Sequence, residues 1–166
     1  LVEQAAKIIS EGQSGVIEAI NSFPGTNRRF DKLGPNLYSD YGHHPAEIAA
    51  SLQMAREISD NAVLVYQPHQ NVRQHEIRHM YSDEVFADAK EVYWLPTYLS
   101  RENQSLEMLS PSDLTSSLTL TNVHAAKLDD TLWGKIQNHI DAGHLVLCMG
   151  AGSIDDWVRN HATQKA

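Results

Sequence analysis

A short polar segment, Asp40-Tyr41-Gly42-His43-His44-Pro45, brings a carboxylate, a phenol and two imidazoles together. Its proline suits the first turn of a helix. The start of a helix offers free N–H groups and the positive end of the helix dipole, and both favour an anion. Alternatively, Asp40 caps a turn and the histidines are surface residues, because turns favour polar side chains. The density of reactive groups favours a binding site.

A second segment, Gly150-Ala151-Gly152-Ser153, lies between an apolar run and a helical pattern. It resembles part of a dinucleotide-binding turn but lacks the third spaced glycine, so the phosphate motif is incomplete. It can also be a tight turn in which Ser153 caps the next helix. The stronger inference is a helix N-terminus that is open to a small anion.

Two further segments offer positive charge. Arg28 and Arg29 follow a Pro-Gly turn, where one guanidinium can stack on a base or hold a phosphate, unless the pair is simply solvated. Gln67-Pro68-His69, with Arg73 four residues later, can hold a carboxylate through one charged and one neutral donor. The alternative is a loop followed by a charge on the first turn of a helix. That charge would oppose the helix dipole, which favours a functional reason for Arg73.

A literal H-E-x-x-H motif, His75-Glu76-Ile77-Arg78-His79, lies on a predicted helix. The motif is typical of zinc metalloproteases, in which two histidines one turn apart bind the metal and the glutamate is the general base. Here Arg78 would place a fixed positive charge beside the cation, and the third histidine of the extended motif is absent. Glu91 or Glu102 is available as a further ligand, but nothing selects one. We therefore expect a solvated helix face rather than a metal site.

The sequence contains neither a G-x-x-x-x-G-K-S/T phosphate loop nor a G-x-S-x-G nucleophile elbow. We therefore expect no complete phosphoryl-transfer or acyl-transfer site in this chain, no catalytic residue of its own and no metal ligands.

Composition narrows the class of protein further. Thirteen basic and 21 acidic side chains give a net charge of −8, which argues against a nucleic-acid or anionic-membrane surface. Cys148 is the single cysteine, so the chain has no internal disulfide framework. This is consistent with a protein of a reducing compartment. No apolar run reaches membrane-spanning length, and no signal peptide is recognisable. The chain begins with Leu1 inside an amphipathic pattern, so we expect a fragment.

The elements that position these segments follow from hydrophobic spacing. We predict helices at 2–9, 14–23, 45–58, 70–86, 132–140 and from 153 onward, with a short helix inside a loop at 96–117. We predict extended segments at 28–40, broken by Gly34-Pro35, and strands at 62–66, 91–95, 118–123 and 144–149. This alternation predicts an α/β fold with three layers, a mostly parallel, Rossmann-like sheet covered by helices on both faces. Ligands gather at the carboxyl ends of such strands, so the polar segments at 40–45, 67–69 and 150–153 should share one edge.

In this order, these segments resemble the C-terminal domain of the Mur ligase family, most of all its alanine-adding branch. The resemblance rests on Gly25–Phe30, Ser39–Ile48, Val65–His69 and Met149–Ile154, of which the D-Y-G-H-H-P-x-E-I stretch is specific. It covers residues 24–166 as the C-terminal domain, whereas residues 1–23 resemble the last helices of the central ATP-binding domain.

The resemblance implies an ATP-dependent amide-forming ligase of peptidoglycan precursor synthesis in the bacterial cytoplasm. Such a ligase uses ATP and Mg²⁺ to convert the carboxylate of UDP-N-acetylmuramate to an acyl phosphate, which the amine of L-alanine attacks. The chemistry is mainly positioning and charge stabilisation. The phosphate loop and metal ligands belong to the central domain, so we expect this chain alone to be inactive. Its partners would be these substrates and its own N-terminal and central domains.

By position, Arg29 resembles the arginine that contacts ATP, and Asp40 resembles the aspartate that binds the ribose. The residues that resemble the groups around the incoming amino acid are Tyr41, His43, His69, Arg73 and Ser153.

One stretch departs from the family pattern. After Gln-Pro-His the family usually continues Arg-Tyr-Thr-Arg-Thr, but here the stretch is Gln70-Asn71-Val72-Arg73-Gln74, so the first arginine is lost and the second kept. Two alternatives therefore stay open. One is the recycling ligase that attaches a tripeptide to UDP-N-acetylmuramate, and the other is a non-catalytic module that binds a nucleotide or an amino acid.

Overall fold

A computed structural model describes residues 28–163, and within them six strands form one sheet. The strands are β1 Asp31–Gly34, β2 Leu37–Asp40, β3 Ala62–Tyr66, β4 Ala89–Trp94, β5 Val123–Ala125 and β6 Leu145–Met149. The helices are α1 Pro45–Ile58, α2 Asn71–Ile77, α3 Pro111–Thr115, α4 Asp130–Asp141 and α5 Ile154–Thr163, with 3₁₀ turns at Arg78–Met80 and Asp83–Phe86. The helices predicted within residues 1–23 lie outside the described residues.

The order of the strands across the sheet is β1-β2-β6-β3-β4-β5. Strands β1 and β2 form an antiparallel hairpin, and every other neighbouring pair is parallel. The hairpin turns at Pro35-Asn36, one residue after the expected break at Gly34-Pro35. The prediction of a mostly parallel α/β sheet is confirmed.

Helices cover both faces of this sheet. Along β3, Leu64 and Tyr66 point to the face that α1 covers, whereas Val63 and Val65 point to the face that α4 and α5 cover. All residues of β3 are buried, as expected for a strand between two helical layers. The predicted three-layer arrangement is therefore confirmed.

Two predicted elements are wrong in extent. The helix expected over 70–86 ends at Ile77 and continues only as the two 3₁₀ turns. The core side chain that lies between these turns is Tyr81, whose hydroxyl donates to Gln74 Oε1 over 2.7 Å and lies 2.9 Å from the Tyr66 hydroxyl. This buried hydrogen-bonded contact competes with a regular helix, because a buried hydroxyl needs partners.

The strand expected over 118–123 is also misplaced, since β5 begins only at Val123. Upstream of it, Thr119 N–H donates to Asp83 Oδ1 over 2.9 Å, and the Thr119 hydroxyl donates to the other carboxylate oxygen. These bonds hold Thr119 to the 3₁₀ turn, whereas contact with β4 begins at Asn122, whose carbonyl accepts from Val92 N–H over 2.9 Å. None of the helices in residues 28–163 is long and apolar enough to cross a membrane.

Candidate functional site

The three polar segments meet at one edge of the sheet. The central strands β2, β6 and β3 are parallel neighbours, and their last residues Asp40, Met149 and Tyr66 are in register. Hydrogen bonds continue past the strand ends, with Gly150 N–H donating to the Asp40 carbonyl over 3.0 Å and Gln67 N–H donating to the Met149 carbonyl over 2.9 Å. The prediction of a shared edge is confirmed. Strand β6 lies between β2 and β3, and the chain leaves β3 and β6 toward opposite faces of the sheet. Open α/β sheets bind ligands at such a switch point.

Asp40 lies at this edge and is only 7% exposed. Its Oδ2 accepts a hydrogen bond from Phe30 N–H and its Oδ1 accepts one from Gly42 N–H, each over 2.7 Å. The carboxylate therefore clamps the segment that precedes β1 onto the loop that follows β2. Arg28 and Phe30 in that segment have left-handed backbones with φ of 63° and 48°, a conformation that non-glycine residues rarely adopt without support.

The two adjacent arginines have different environments. Arg28 donates to the Gly150 carbonyl over 3.3 Å, and its Nε lies 3.1 Å from Asp155 Oδ2. Arg29 is exposed. Both guanidinium groups lie over the Tyr41 ring, at 4.7 Å and 5.4 Å from its centre, where the ring face attracts cations. Arg28 is thus bound within the protein, and Arg29 is the one that can contact a ligand.

The start of α1 is capped by its own residues. His44 Nδ1 accepts a hydrogen bond from Ala46 N–H over 3.3 Å, and Glu47 Oε2 accepts from the N–H groups of His43 and His44 over 2.9 Å and 3.0 Å. Partial burial raises the pKa of Glu47, but these two backbone bonds and the charges of His43 and Arg29 outweigh it, so the pKa lies below its ordinary value. The helix start is therefore occupied by a carboxylate rather than open to an external anion.

A row of aromatic rings crosses the edge from Tyr41 through His43 and His69 to Tyr98. Neighbouring ring centres lie 5.7, 5.5 and 5.8 Å apart, and the last pair is stacked. Burial lowers the pKa of His69, and the nearby His43 and Arg73 lower it further against the opposing effect of Glu102. His69 is consequently neutral at pH 7, able to accept a proton or to donate one hydrogen bond.

Gln67 closes the space between the ends of β3 and β6. Its side-chain oxygen accepts a hydrogen bond from Ile154 N–H over 3.0 Å, and its Nε2 donates to the Ser153 hydroxyl over 3.2 Å. A Cβ on Gly152 would lie 2.6 Å from this oxygen and 2.5 Å from the Tyr98 side chain. The first N–H of α5 is therefore already bonded, which differs from the expected open anion site, and the glycine turn serves close packing. Ser153 still lies at the edge of the sheet.

Arg73 lies on α2 near His69, and its side chain is 47% exposed. Its Nε lies 3.6 Å from Glu76 Oε2, one turn along the same helix. The start of α2 is capped by Glu102, whose carboxylate accepts from Asn71 N–H over 3.1 Å and Val72 N–H over 3.3 Å. Arg73 thus forms a surface ion pair, and its positive charge also acts on His69.

The H-E-x-x-H motif does not form two histidines on successive turns of one α-helix. His75 lies on α2 and its Nε2 is 2.8 Å from the Glu107 carbonyl, whereas His79 lies in the following 3₁₀ turn. Among residues 28–163, no three His, Cys, Asp or Glu side chains are grouped so that they can hold a metal ion.

Several residues of the site carry no sequence signal that points to them. Tyr98 comes from the polar loop after β4 and reaches the edge through a bridge to His69. Asp155 lies beyond the Gly-Ala-Gly turn, and its pairing with Arg28 joins residues 127 positions apart. The sequence predicts Gln67 as a ligand donor, but its cap on α5 depends on β3 and β6 being neighbours. Only the tertiary arrangement reveals these contacts.

Residues 28–152 match the model of a family described as Mur ligase, glutamate ligase domain. A UDP-N-acetylmuramate–L-alanine ligase of Jannaschia is 35% identical over 84% of this chain and 31% of the relative's length. The crystal structure of UDP-N-acetylmuramate–alanine ligase from Thermotoga maritima matches with a TM-score of 0.63 and 25% identity, over 96% of this chain and 35% of that chain. A murein peptide ligase from Psychrobacter arcticus shares the fold, with a TM-score of 0.60 and 20% identity over 97% of this chain and 35% of that chain. The chain spans about a third of the length of these relatives.

Proposed function

This chain belongs to the Mur ligase family, and we propose that it is the C-terminal domain of an ATP-dependent ligase that joins L-alanine to UDP-N-acetylmuramate. Residues 24–166 would form this domain, and residues 1–23 would be the end of the central ATP-binding domain. The ligase would act in the bacterial cytoplasm, and this chain alone would be inactive.

One observation carries the proposal. Arg29, the segment Asp40–His43 and His69 come from three separate stretches of the sequence and meet at the carboxyl ends of β2, β6 and β3. The same edge carries Ser153, and the charge of Arg73 reaches His69. This arrangement supports a ligand crevice that has a cationic side at Arg29 and an imidazole side at His69.

The residues at the cationic side fit a nucleotide. Arg29 is exposed, so its guanidinium can pair with phosphate oxygens without losing an internal partner. Each oxygen of Asp40 already accepts one backbone N–H and keeps a second lone pair, with which it can accept a ribose hydroxyl. ATP supplies the phosphoryl group that activates the muramate carboxylate. Its Mg²⁺ would be held mainly by the central domain, as the resemblance to the family implies.

The residues at the imidazole side fit an amino acid. Neutral His69 and cationic Arg73 offer a hydrogen-bonding group and a charge to a substrate with an amine and a carboxylate. The Ser153 hydroxyl accepts from Gln67 Nε2, and its own proton faces Gln67 Oε1 only at 3.5 Å, so it can turn to donate to a carboxylate oxygen. These groups would hold the amine in line with the activated carboxylate, which is the main contribution a positioning domain can make.

The test is phosphate release by the full-length protein that contains this chain. We expect release only when ATP, UDP-N-acetylmuramate and L-alanine are all present, with formation of the UDP-linked alanyl product by mass spectrometry. Nucleotide binding without any amide product would refute the ligase and leave a non-catalytic binding module.

Gln70 supports a second candidate, a ligase that attaches a tripeptide. The family usually has an arginine here, and Gln70 lies at the start of α2 with a left-handed backbone, φ 60°. A pocket with one guanidinium fewer holds a single free amino acid less firmly, whereas a peptide has further groups to bind. Replacing L-alanine by L-alanyl-γ-D-glutamyl-meso-diaminopimelate in the same assay separates the two ligases, since each predicts turnover with one acceptor only.

A further inference from the structure

Asp155 is a buried carboxylate that none of the proposed substrate contacts uses. It lies in the first turn of α5, is 5% exposed, and accepts a hydrogen bond from Ser39 Oγ over 2.5 Å. Arg28 Nε lies 3.1 Å from one of its oxygens, and Arg159 Nε donates to both oxygens over 3.0 Å and 3.1 Å. Arg159 also pairs with Asp31 over 2.6 Å. Asp155 is thus the centre of a network that joins Arg28 to Asp31.

This network anchors one of the two residues that flank Arg29. On one side of it, the Arg28 side chain pairs with Asp155 and donates to the Gly150 carbonyl over 3.3 Å, and the Arg28 carbonyl accepts from Tyr41 N–H over 2.7 Å. On the other side, Phe30 N–H donates to Asp40. Both flanking residues have left-handed backbones, which relax unless contacts hold them. Arg29 is therefore directed by two anchors, one of which depends on Asp155.

The anchored Arg29 lies over the Tyr41 ring and is exposed. Its guanidinium lies 5.4 Å from the centre of the Tyr41 ring, and its charge reaches Glu47 at the start of α1. Without the pair to Asp155, Arg28 would lose the only carboxylate recorded within ion-pair distance of it among residues 28–163. The turn could then relax, and Arg29 would spend less time over Tyr41.

We propose that Asp155 is a positioning residue, which holds Arg28 in its turn and so aims Arg29 at the phosphates of the bound nucleotide. The proposal rests on the proposed function, because a nucleotide at this edge is what gives Arg29 its ligand. Asp155 itself touches no substrate.

The experiment compares Asp155→Asn with Asp31→Asn in the full-length protein. Both variants remove one charge from the same network, but only Asp155 contacts Arg28. We expect Asp155→Asn to raise the KM for ATP about tenfold, the size of one charge-assisted hydrogen bond, while the KM for UDP-N-acetylmuramate stays within about twofold. Asp31→Asn should leave both values within about twofold. Equal effects of the two variants, or an unchanged KM for ATP in Asp155→Asn, would overturn the proposal.

A binding measurement separates this proposal from the ligase assignment. The dissociation constant of a non-hydrolysable ATP analogue, measured by calorimetry, should rise about tenfold in Asp155→Asn and in Arg28→Gln even if no amide is formed. A protein that binds the analogue but makes no amide refutes the ligase and keeps the positioning role. A wild-type protein that does not bind the analogue refutes both. Urea unfolding of each variant shows whether it is folded. If Asp155→Asn does not fold, Arg28→Gln tests the same ion pair.

Discussion

The clamp made by Asp40 can be tested directly, because an asparagine at this position keeps the shape of the side chain but loses one acceptor. In Asp40→Asn one oxygen still accepts a backbone N–H. The amide nitrogen that replaces the other oxygen is a donor, so it faces the N–H of either Phe30 or Gly42 across the present 2.7 Å. Two donors at this distance repel each other, and the buried N–H loses its partner.

The magnitude follows from these contacts. A hydrogen bond to a charged group contributes about 1.5–3 kcal/mol, and Asp40 has little access to water that could replace it. We therefore expect Asp40→Asn to lower the free energy of unfolding by about 2 kcal/mol, or roughly 4–8 °C in Tm.

The assay is urea unfolding of the 166-residue chain, followed by circular dichroism without nucleotide. Asp88→Asn is the matched control, since it removes a carboxylate from the exposed Arg56–Asp88 pair, and we expect a loss of about 0.5 kcal/mol or less. If Asp40→Asn were as stable as this control, the clamp would be refuted and Asp40 would act only on a ligand. In the full-length ligase, Asp40→Ala should also raise the KM for ATP strongly.

Three further predictions follow. Gly152→Ala should lower the free energy of unfolding by about 1–3 kcal/mol, because the added Cβ would lie 2.5 Å from the Tyr98 side chain. Gly134→Ala lies inside α4 and its Cβ would meet nothing within 4 Å, so it should raise the free energy of unfolding by about 0.5–1 kcal/mol. The urea unfolding midpoints of the two variants test this difference. Burial lowers the pKa of His139 and His144 in the folded chain. As the pH falls through the ordinary histidine pKa, the unfolded chain therefore binds more protons than the folded chain, and the free energy of unfolding should fall between pH 7 and pH 5. His139→Gln should flatten that slope, and an unchanged slope would refute the cause. Burial raises the pKa of the Cys148 thiol to about 12, so the reactive thiolate is scarce in the folded chain. A disulfide reagent should therefore label Cys148 only as fast as the chain unfolds. Labelling at the rate of a free thiol would contradict this expectation.

Elements with strong local patterns are predictable from the sequence of this chain. The apolar run Ala62–Tyr66 is found as a buried strand with the bounds expected, and Pro45 begins α1. The 118–123 strand and the long helix after His69 are wrong because side chains override the local pattern there. Asp83 holds Thr119, and Tyr81 turns into the core to meet Gln74 and Tyr66.

The sequence by itself determined which segments carry the chemistry of the crevice, and that they lie at one edge. Residue type and their position after apolar runs are local properties, and the carboxyl ends of parallel strands must face the same way. The tertiary structure alone decided the partners at that edge. In it, Arg28 pairs with Asp155, Tyr98 stacks on His69, and the Gln67 side chain caps the start of α5. Such pairings depend on which strands are neighbours and on angles between side chains from distant segments, and no local pattern of residues encodes them.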